Sequence, residues 1–424
     1  MIRARASALA TRIRHAGLVA CLFFASSGCT STLDSLGTDP QAVGTVDGGP
    51  STLVPLVGPT SYGNAFRDFA GKSDADIAAK LAAAFAQLFH GDPSTQAIYV
   101  QVGADQAKIM DIFHGDVRSE GIGTCMLVAV ELDKRDEFDR LWTYAKASLE
   151  QTSGPGQGYF NSVCDDTTPC LDPYGMEQFV TALIFAHDRW DPSGAASYVS
   201  DALALLDLLQ NKQQENGGSS SGIVSVFDPT TALVREQPTP ANAGYTRSSL
   251  EIPEFYELWA QATGNAFWTS AAAAARANLA ATANMSTGLW PMRSYFDGSP
   301  VPNFDTFLPQ GYRTELNLAL DALWGKAPST EGTEANRVLG FFTAQGIDKT
   351  GKSYELDGTV IDAMHELGLT AANGALAAAS SLANRADFVN SVWNMAIPSG
   401  DPRYYDGILY LTSLLVLSGQ YRVY

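Results

Sequence analysis

HGDVRSEGIGTCMLVAVELDKRDEFDRLWTYAKASLE, His114 to Glu150, decides how the rest of the chain is read. Ile122, Met126, Ala129 and Val130 recur at helical spacing, with Leu132 following. After a polar break from Asp133 to Asp136 come Phe138, Leu141, Trp142, Ala145 and Leu149, again three and four apart. The stretch predicts two amphipathic helices joined by a very short turn. Asp116 and Ser119 are both good N-cap types for the first helix. Glu120 then falls in its first turn, preceded by Arg118. By itself a carboxylate there is an ordinary partner of the helix dipole.

Upstream, residues 1–28 read as an export signal. Arg3, Arg5, Arg12 and Arg14 form a basic region, Ala16 to Ala25 a short apolar one, and Ser26-Ser27-Gly28-Cys29 ends in a cysteine. The last four residues resemble a lipobox whose Cys29 is lipidated and becomes the mature N-terminus; simple cleavage is the alternative. The apolar run is too short to span a bilayer. Thr30 to about Pro59, rich in Gly, Ser, Thr, Pro and Asp, reads as a flexible tether. The expected location is the bacterial cell envelope, lipid-anchored, or outside the cell. Any membrane contact would run through that anchor.

Without the signal, 23 Lys and Arg face 45 Asp and Glu, a formal charge of −22. So acidic a chain argues against nucleic acid or anionic lipid as a partner and suits a neutral ligand such as a sugar. Cys164 and Cys170 flank a short loop and are expected to pair in an oxidising compartment. Cys125 falls on the apolar side of its helix and reads as a small core residue. Five histidines, scattered, suggest no metal cluster, and no cofactor is implied.

Helical periodicity is expected near Asp74 to Phe89 (capped by Ser73), Gly175 to His187, Ser197 to Gln214, Pro253 to Thr263 and Phe267 to Asn284. It continues at Thr314 to Trp324, Glu331 to Gln345, Asp362 to Leu382, Ala386 to Asn394 and Asp406 to Gly419. A small hairpin is expected within Gly217 to Asn242. Short links alternate with long loops and strand alternation is scarce. The simplest architecture is all-α, with paired helices and the long loops gathered at one end.

Several blocks, in order, resemble glycoside hydrolase family 8, especially its reducing-end xylose-releasing exo-oligoxylanase branch. They are DVRSEGIGTCMLVAVELDKRDEFDRLW (116–142), EQFVTALIFAHDRW (177–190), FDPTTALV (227–234), IPEFYELWA (252–260), LNLALDALW (316–324) and the C-terminal stretch 388–424. The resemblance implies an (α/α)6 barrel over residues 60–424 that acts by inversion on β-1,4-linked glycans such as xylan, xylo-oligosaccharides or cellulose. Inversion pairs a protonated carboxyl on the leaving oxygen with a carboxylate that activates water. Glu120, in the RSEG motif, matches the family's general acid. It would need burial or a neighbouring carboxylate to hold its proton.

The other acidic positions differ. Tyr174 stands where the resemblance expects an aspartate near the reacting sugar. Arg247 falls where it expects the general base, and Pro309-Gln310-Gly311-Tyr312-Arg313 keeps only the arginine of a third motif. Arginine cannot accept a proton. Glu251 is therefore the tentative base, with Asp172 the other substitute; equally, Glu251 could form a plain ion pair with Arg247. Expected substrate contacts are Arg118, Tyr174, Arg247, Arg313, Tyr404 and Tyr405. Tyr174 is either a sugar-stacking platform or a packed loop aromatic. Tyr159, Phe160, Trp290 and Tyr295 also suit stacking, some of them as core. Two rivals remain: a barrel with hydrolysis impaired that serves as a cell-surface oligosaccharide-binding lipoprotein, and a partner-binding lipoprotein without sugar affinity.

Overall fold

In the computed structural model, the described residues are 52–57, 62–164, 168–194, 196–215, 217–218, 222–325 and 328–424; the side chains of 164, 168, 169 and 328–331 are also left aside. All fall in one compact unit, Gly49–Tyr424. The export segment, Cys29 and most of the expected tether lie outside the described residues.

Thirteen α-helices are present among them: α1 (Ala65–Ala70), α2 (Asp74–His90), α3 (Ser119–Glu131), α4 (Arg135–Ser148), α5 (Pro173–Trp190), α6 (Tyr198–Glu215) and α7 (Pro253–Thr263). These are followed by α8 (Ala266–Thr282), α9 (Gly311–Leu323), α10 (Pro328–Gln345), α11 (Leu367–Ala377), α12 (Arg385–Asn394) and α13 (Tyr405–Leu417). Helices α3, α5, α7, α9, α11 and α13 each touch the next, and α13 touches α3, closing an inner ring. The helix beside each in sequence packs outside it. This is an (α/α)6 barrel.

Sequence decides which helix goes where. Every residue of α3 from Gly121 to Glu131, and of α13 from Asp406 to Leu417, is buried. A helix apolar on all sides belongs inside, whereas α4 buries only Phe138, Leu141, Trp142 and Ala145, one stripe. Glycine lets α3 and α5 approach closely at their starts. A Cβ on Gly175 would lie 2.4 Å from Ser119 Oγ and 2.7 Å from the Ser119 carbonyl carbon.

Links from inner to outer helices are short; the long ones run from outer to inner and carry the strands. β1 (Tyr99–Val102) pairs with β2 (Gln106–Ile109), and β3 (Asn161–Cys164) with β4 (Thr168–Leu171). β5 (Tyr245–Thr246) pairs with β6 (Ser294–Tyr295), and β7 (Thr306–Phe307), β8 (Ser353–Glu355) and β9 (Val360–Asp362) form a three-stranded sheet. All pairs are antiparallel. Because the inner helices run the same way, their N-termini gather at the end where these loops lie.

Several expectations need correction. Residues 52–57 are not tether: Leu53 is buried, Val54 N–H donates to the Ala262 carbonyl (2.8 Å), and Leu56 N–H donates to Asp188 Oδ2 (3.1 Å). Neither Asp116 nor Ser119 caps α3. Arg118 holds the cap position without a side-chain capping bond, and the Ser119 N–H is satisfied by Ser162 Oγ of β3 (3.2 Å). The helix expected from Asp362 shrinks to α11, because β9 takes its start. The small hairpin expected in 217–242 is present around the antiparallel Phe227–Val234 bridge: Val224 N–H donates to the Pro238 carbonyl (3.0 Å), Arg235 N–H to that of Val226 (2.8 Å) and Asp228 N–H to that of Leu233 (2.9 Å), and Phe227 packs against Tyr256 and Trp268. Ser73 does cap α2, its Oγ accepting from Asp76 N–H at 3.1 Å.

Cys170 is disulfide-bonded, while the Cys164 side chain lies outside the described residues. Cys125 is buried and free, and burial pushes its thiol far up.

Candidate active site

The first turns of α3, α5, α9 and α13 meet over a narrow cavity of about 30 Å³. Glu120 projects into it from α3. Its Oε2 lies 2.7 Å from Arg313 Nη2 at the start of α9, and Tyr404 hydroxyl donates to its Oε1 at 3.4 Å. The Arg313 guanidinium stands 4.5 Å from the centre of the Tyr174 ring and 5.2 Å from that of Tyr405. Tyr405 is held by its hydroxyl, which donates to the Pro309 carbonyl at 2.6 Å. A planar cation clamped between two rings and bonded to a carboxylate is a rigid device. Among the described residues lining the cavity, Glu120 is the one carboxylate.

Asp172 stands just behind this group as the N-cap of α5. Its side chain accepts the Tyr174 N–H (3.3 Å), and its Oδ2 is buried with no hydrogen-bond partner. Burial first, then the Glu120 charge, push its carboxyl up to about 6, against the opposing pull of Arg313 and Arg247. Asp172 thus shares the electrostatic field of Glu120.

Glu251 does not. Its side chain is fully buried, its Oε1 accepting from Thr246 hydroxyl (2.6 Å) and from Val234 N–H (3.2 Å), and it does not line the cavity. Burial pushes it up to about 8. Enclosed and untouched by the charge of Glu120, Glu251 is withdrawn as the base. Nor does it pair with Arg247, which binds Glu236; Glu236 also meets Arg293 Nε at 2.6 Å. Arg118 is drawn back from the cavity too, its Nε bonding Asp116 Oδ1 (3.0 Å) and meeting Asp111 Oδ2 at 3.2 Å.

Of the expected stacking aromatics, Tyr404 is buried edge-on above Gly121, where a Cβ would lie 2.6 Å from its hydroxyl. Tyr159, Phe160 and Trp290 are core: Tyr159 donates to the Val224 carbonyl (2.9 Å), and the Trp290 indole to the Leu279 carbonyl (3.0 Å). Tyr295 is exposed. Tyr174 is a packed aromatic facing Arg313, and burial pushes its hydroxyl up to about 12.

Sequence reasoning missed Thr124, Gln178, Asn317 and Thr412, which line the cavity from the inner helices. Their signal was available, since each is a polar residue interrupting an otherwise apolar inner-helix run. Among the described residues no group of three His, Cys, Asp or Glu side chains could hold a metal ion.

A carboxylate in a cavity at the open end of an (α/α)6 barrel is the arrangement of a carbohydrate-active enzyme. The sequence profile of glycosyl hydrolases family 8 matches residues 113–419, and the chain belongs to that family of glycosidases. It is 34% identical over 379 residues to the reducing-end xylose-releasing exo-oligoxylanase Rex8A of Paenibacillus barcinonensis, covering 86% of this chain and 97% of that one. Endoglucanase C of Ruminiclostridium cellulolyticum is 24% identical over 319 residues, covering 72% and 64%. Among solved structures, a family 8 protein from Teredinibacter turnerae in complex with xylobiose superposes with a TM-score of 0.79 at 34% identity, covering 86% and 98%.

Proposed function

We propose that the chain hydrolyses β-1,4-linked xylo-oligosaccharides with inversion, using Glu120 as the acid on the leaving oxygen. The observation that carries this reading is the placement of Glu120 as the carboxylate of the cavity, inside a family match that includes relatives acting on xylo-oligosaccharides. As the glycosidic bond breaks, Glu120 gives its proton to the departing oxygen. A water oxygen bonds to the anomeric carbon from the opposite face, and a second carboxylate takes its proton. With Arg247 unable to do so and Glu251 outside the field of Glu120, Asp172, whose carboxyl feels the Glu120 charge, is that second carboxylate, and water reaches its buried Oδ2 only when the start of α5 shifts. Its buried Oδ2 has no partner to give up before accepting a proton. The protein acts in the cell envelope, exported by residues 1–28 and anchored through Cys29.

Product analysis against xylo-, cello- and chito-oligosaccharides, beside Glu120→Gln, tests this. Cleavage of the xylose series that disappears in the variant supports it; cleavage that survives contradicts it. A second reading, oligosaccharide binding without turnover, is favoured by one observation: Arg313 already occupies Oε2 of the cavity's carboxylate. Binding of xylo-oligosaccharides by the wild type with no product would select it.

A further inference from the structure

Strands β5 and β6 pair Thr246 with Ser294, so the residues that continue them at this end, Arg247 and Arg293, come side by side. Like charges placed opposite each other on paired strands repel and stand only where something offsets them. Here both guanidiniums meet one oxygen of Glu236, a buried carboxylate whose own N–H donates to the Tyr245 carbonyl (2.8 Å). Arg293 makes that contact through Nε alone, at 2.6 Å. Among the described residues its Nη1 and Nη2 donate no hydrogen bond, and neither nitrogen is buried.

The guanidinium is also held in place from one side. It lies over the Phe304 ring, 3.8 Å from the ring centre. The loop that carries Phe304 is tied back on Arg293: the Arg293 N–H donates to the Phe304 carbonyl (3.1 Å), and the Val301 N–H to the Arg293 carbonyl (3.1 Å). Glu236 thus fixes Nε, Phe304 fixes one face, and the two terminal nitrogens remain open. That is a pre-aimed fork for a carboxylate, which binds two parallel N–H groups.

The fork stands beside the cavity. Ser248, directly after Arg247, has its hydroxyl 3.0 Å from that of Thr314, the residue directly after Arg313. Asn317, which lines the cavity, donates to the Ser249 carbonyl (3.4 Å). The Arg247 charge also acts on Asp172. Arg293 is therefore one shared carboxylate removed from the segment docked on the cavity wall.

We propose that Arg293 binds the carboxylate of a uronic acid branch on a β-1,4-linked oligosaccharide held at Glu120. The inference rests on the proposed hydrolysis of such chains and adds a charged decoration to what the site recognises. A protein of formal charge −18 disfavours free anions at long range. A carboxylate delivered by an otherwise neutral chain already bound at Glu120 meets the fork at short range instead.

The test is calorimetric titration of the Glu120→Gln protein, which keeps the ligand intact, with three xylo-oligosaccharides of one length. One is unbranched, one bears a glucuronic acid branch, and one bears that branch with its carboxyl reduced to a hydroxymethyl group. The acidic form is expected to bind about tenfold tighter than the reduced form, a difference that shrinks with added salt. Arg293→Gln should abolish the difference and leave the reduced and unbranched ligands within about twofold, while Arg293→Lys, a charge without the fork, keeps part of it. Should Arg293→Gln lose all three ligands, Arg293→Lys decides: a partial preference supports the site and none overturns it. Equal binding of acidic and reduced forms before the Arg293 change, or a preference that survives Arg293→Gln, would overturn the carboxylate site and leave the proposed function standing. No affinity for any of the three in the Glu120→Gln protein would contradict both.

Discussion

Arg313 Nη2 lies 2.7 Å from Glu120 Oε2, on a guanidinium held between the rings of Tyr174 and Tyr405. The cation fixes the rotamer of the carboxylate and aims its other oxygen at Tyr404 and the cavity. Arg313→Gln is expected to lower kcat on xylo-oligosaccharides at least a hundredfold, because a misplaced acid loses that much. Leaving a partly buried carboxylate unpaired costs about 3 kcal/mol of stability. Denaturant unfolding and steady-state kinetics of the same preparation check both.

Asp172→Asn keeps an N-cap acceptor at the start of α5, so the fold should survive. If Asp172 takes the proton from water, kcat falls by orders of magnitude with KM little changed. Because that role needs the ionised form and the carboxyl is pushed up to about 6, wild-type activity should fall as pH drops through about 6. A pH profile flat down to 4.5 would remove Asp172 from the reaction.

Gly175 lies where a Cβ would press on Ser119, the residue before Glu120. Gly175→Ala is expected to cost about 1–3 kcal/mol through overpacking. It should also lower kcat more than stability, since relief comes by shifting the first turn of α3. A variant that is destabilised but fully active would show that α5 yields instead.

Glu251 is buried with a carboxyl pushed up to about 8, against an ordinary value of 4.5. The folded state therefore holds this proton between those values while the unfolded chain releases it. The contribution to stability is complete below about pH 4.5, declines as pH rises, and is lost by about 8. Glu251→Gln should flatten that part of the stability profile and leave kcat near wild type. Loss of activity with an intact fold would reinstate Glu251 as a catalytic group.

The helix pattern was readable because inner and outer helices differ in composition: α3 and α13 are apolar all round, α4 on one stripe. The place of Glu120 in the first turn of α3 was legible from the helical spacing of the residues after it. The residues around it were not. Asp172, Tyr174 and Arg313 come from distant segments and become neighbours only when the inner N-termini converge. Glu251 looked like a substitute because it lies four residues after Arg247. In the fold a short 3-10 turn, Ser248–Leu250, separates them, and Glu251 turns inward to Thr246. The β1–β2 hairpin and α1 were missed because each is too short to show a period.

The most direct measurement is proton NMR of xylotriose during the first minutes of hydrolysis by the wild type, with Glu120→Gln alongside. Inversion by Glu120 and Asp172 predicts that the newly formed reducing end appears first as the α-anomer, and that the variant yields nothing. The β-anomer appearing first, or no product from a wild type that still binds the sugar, would contradict it.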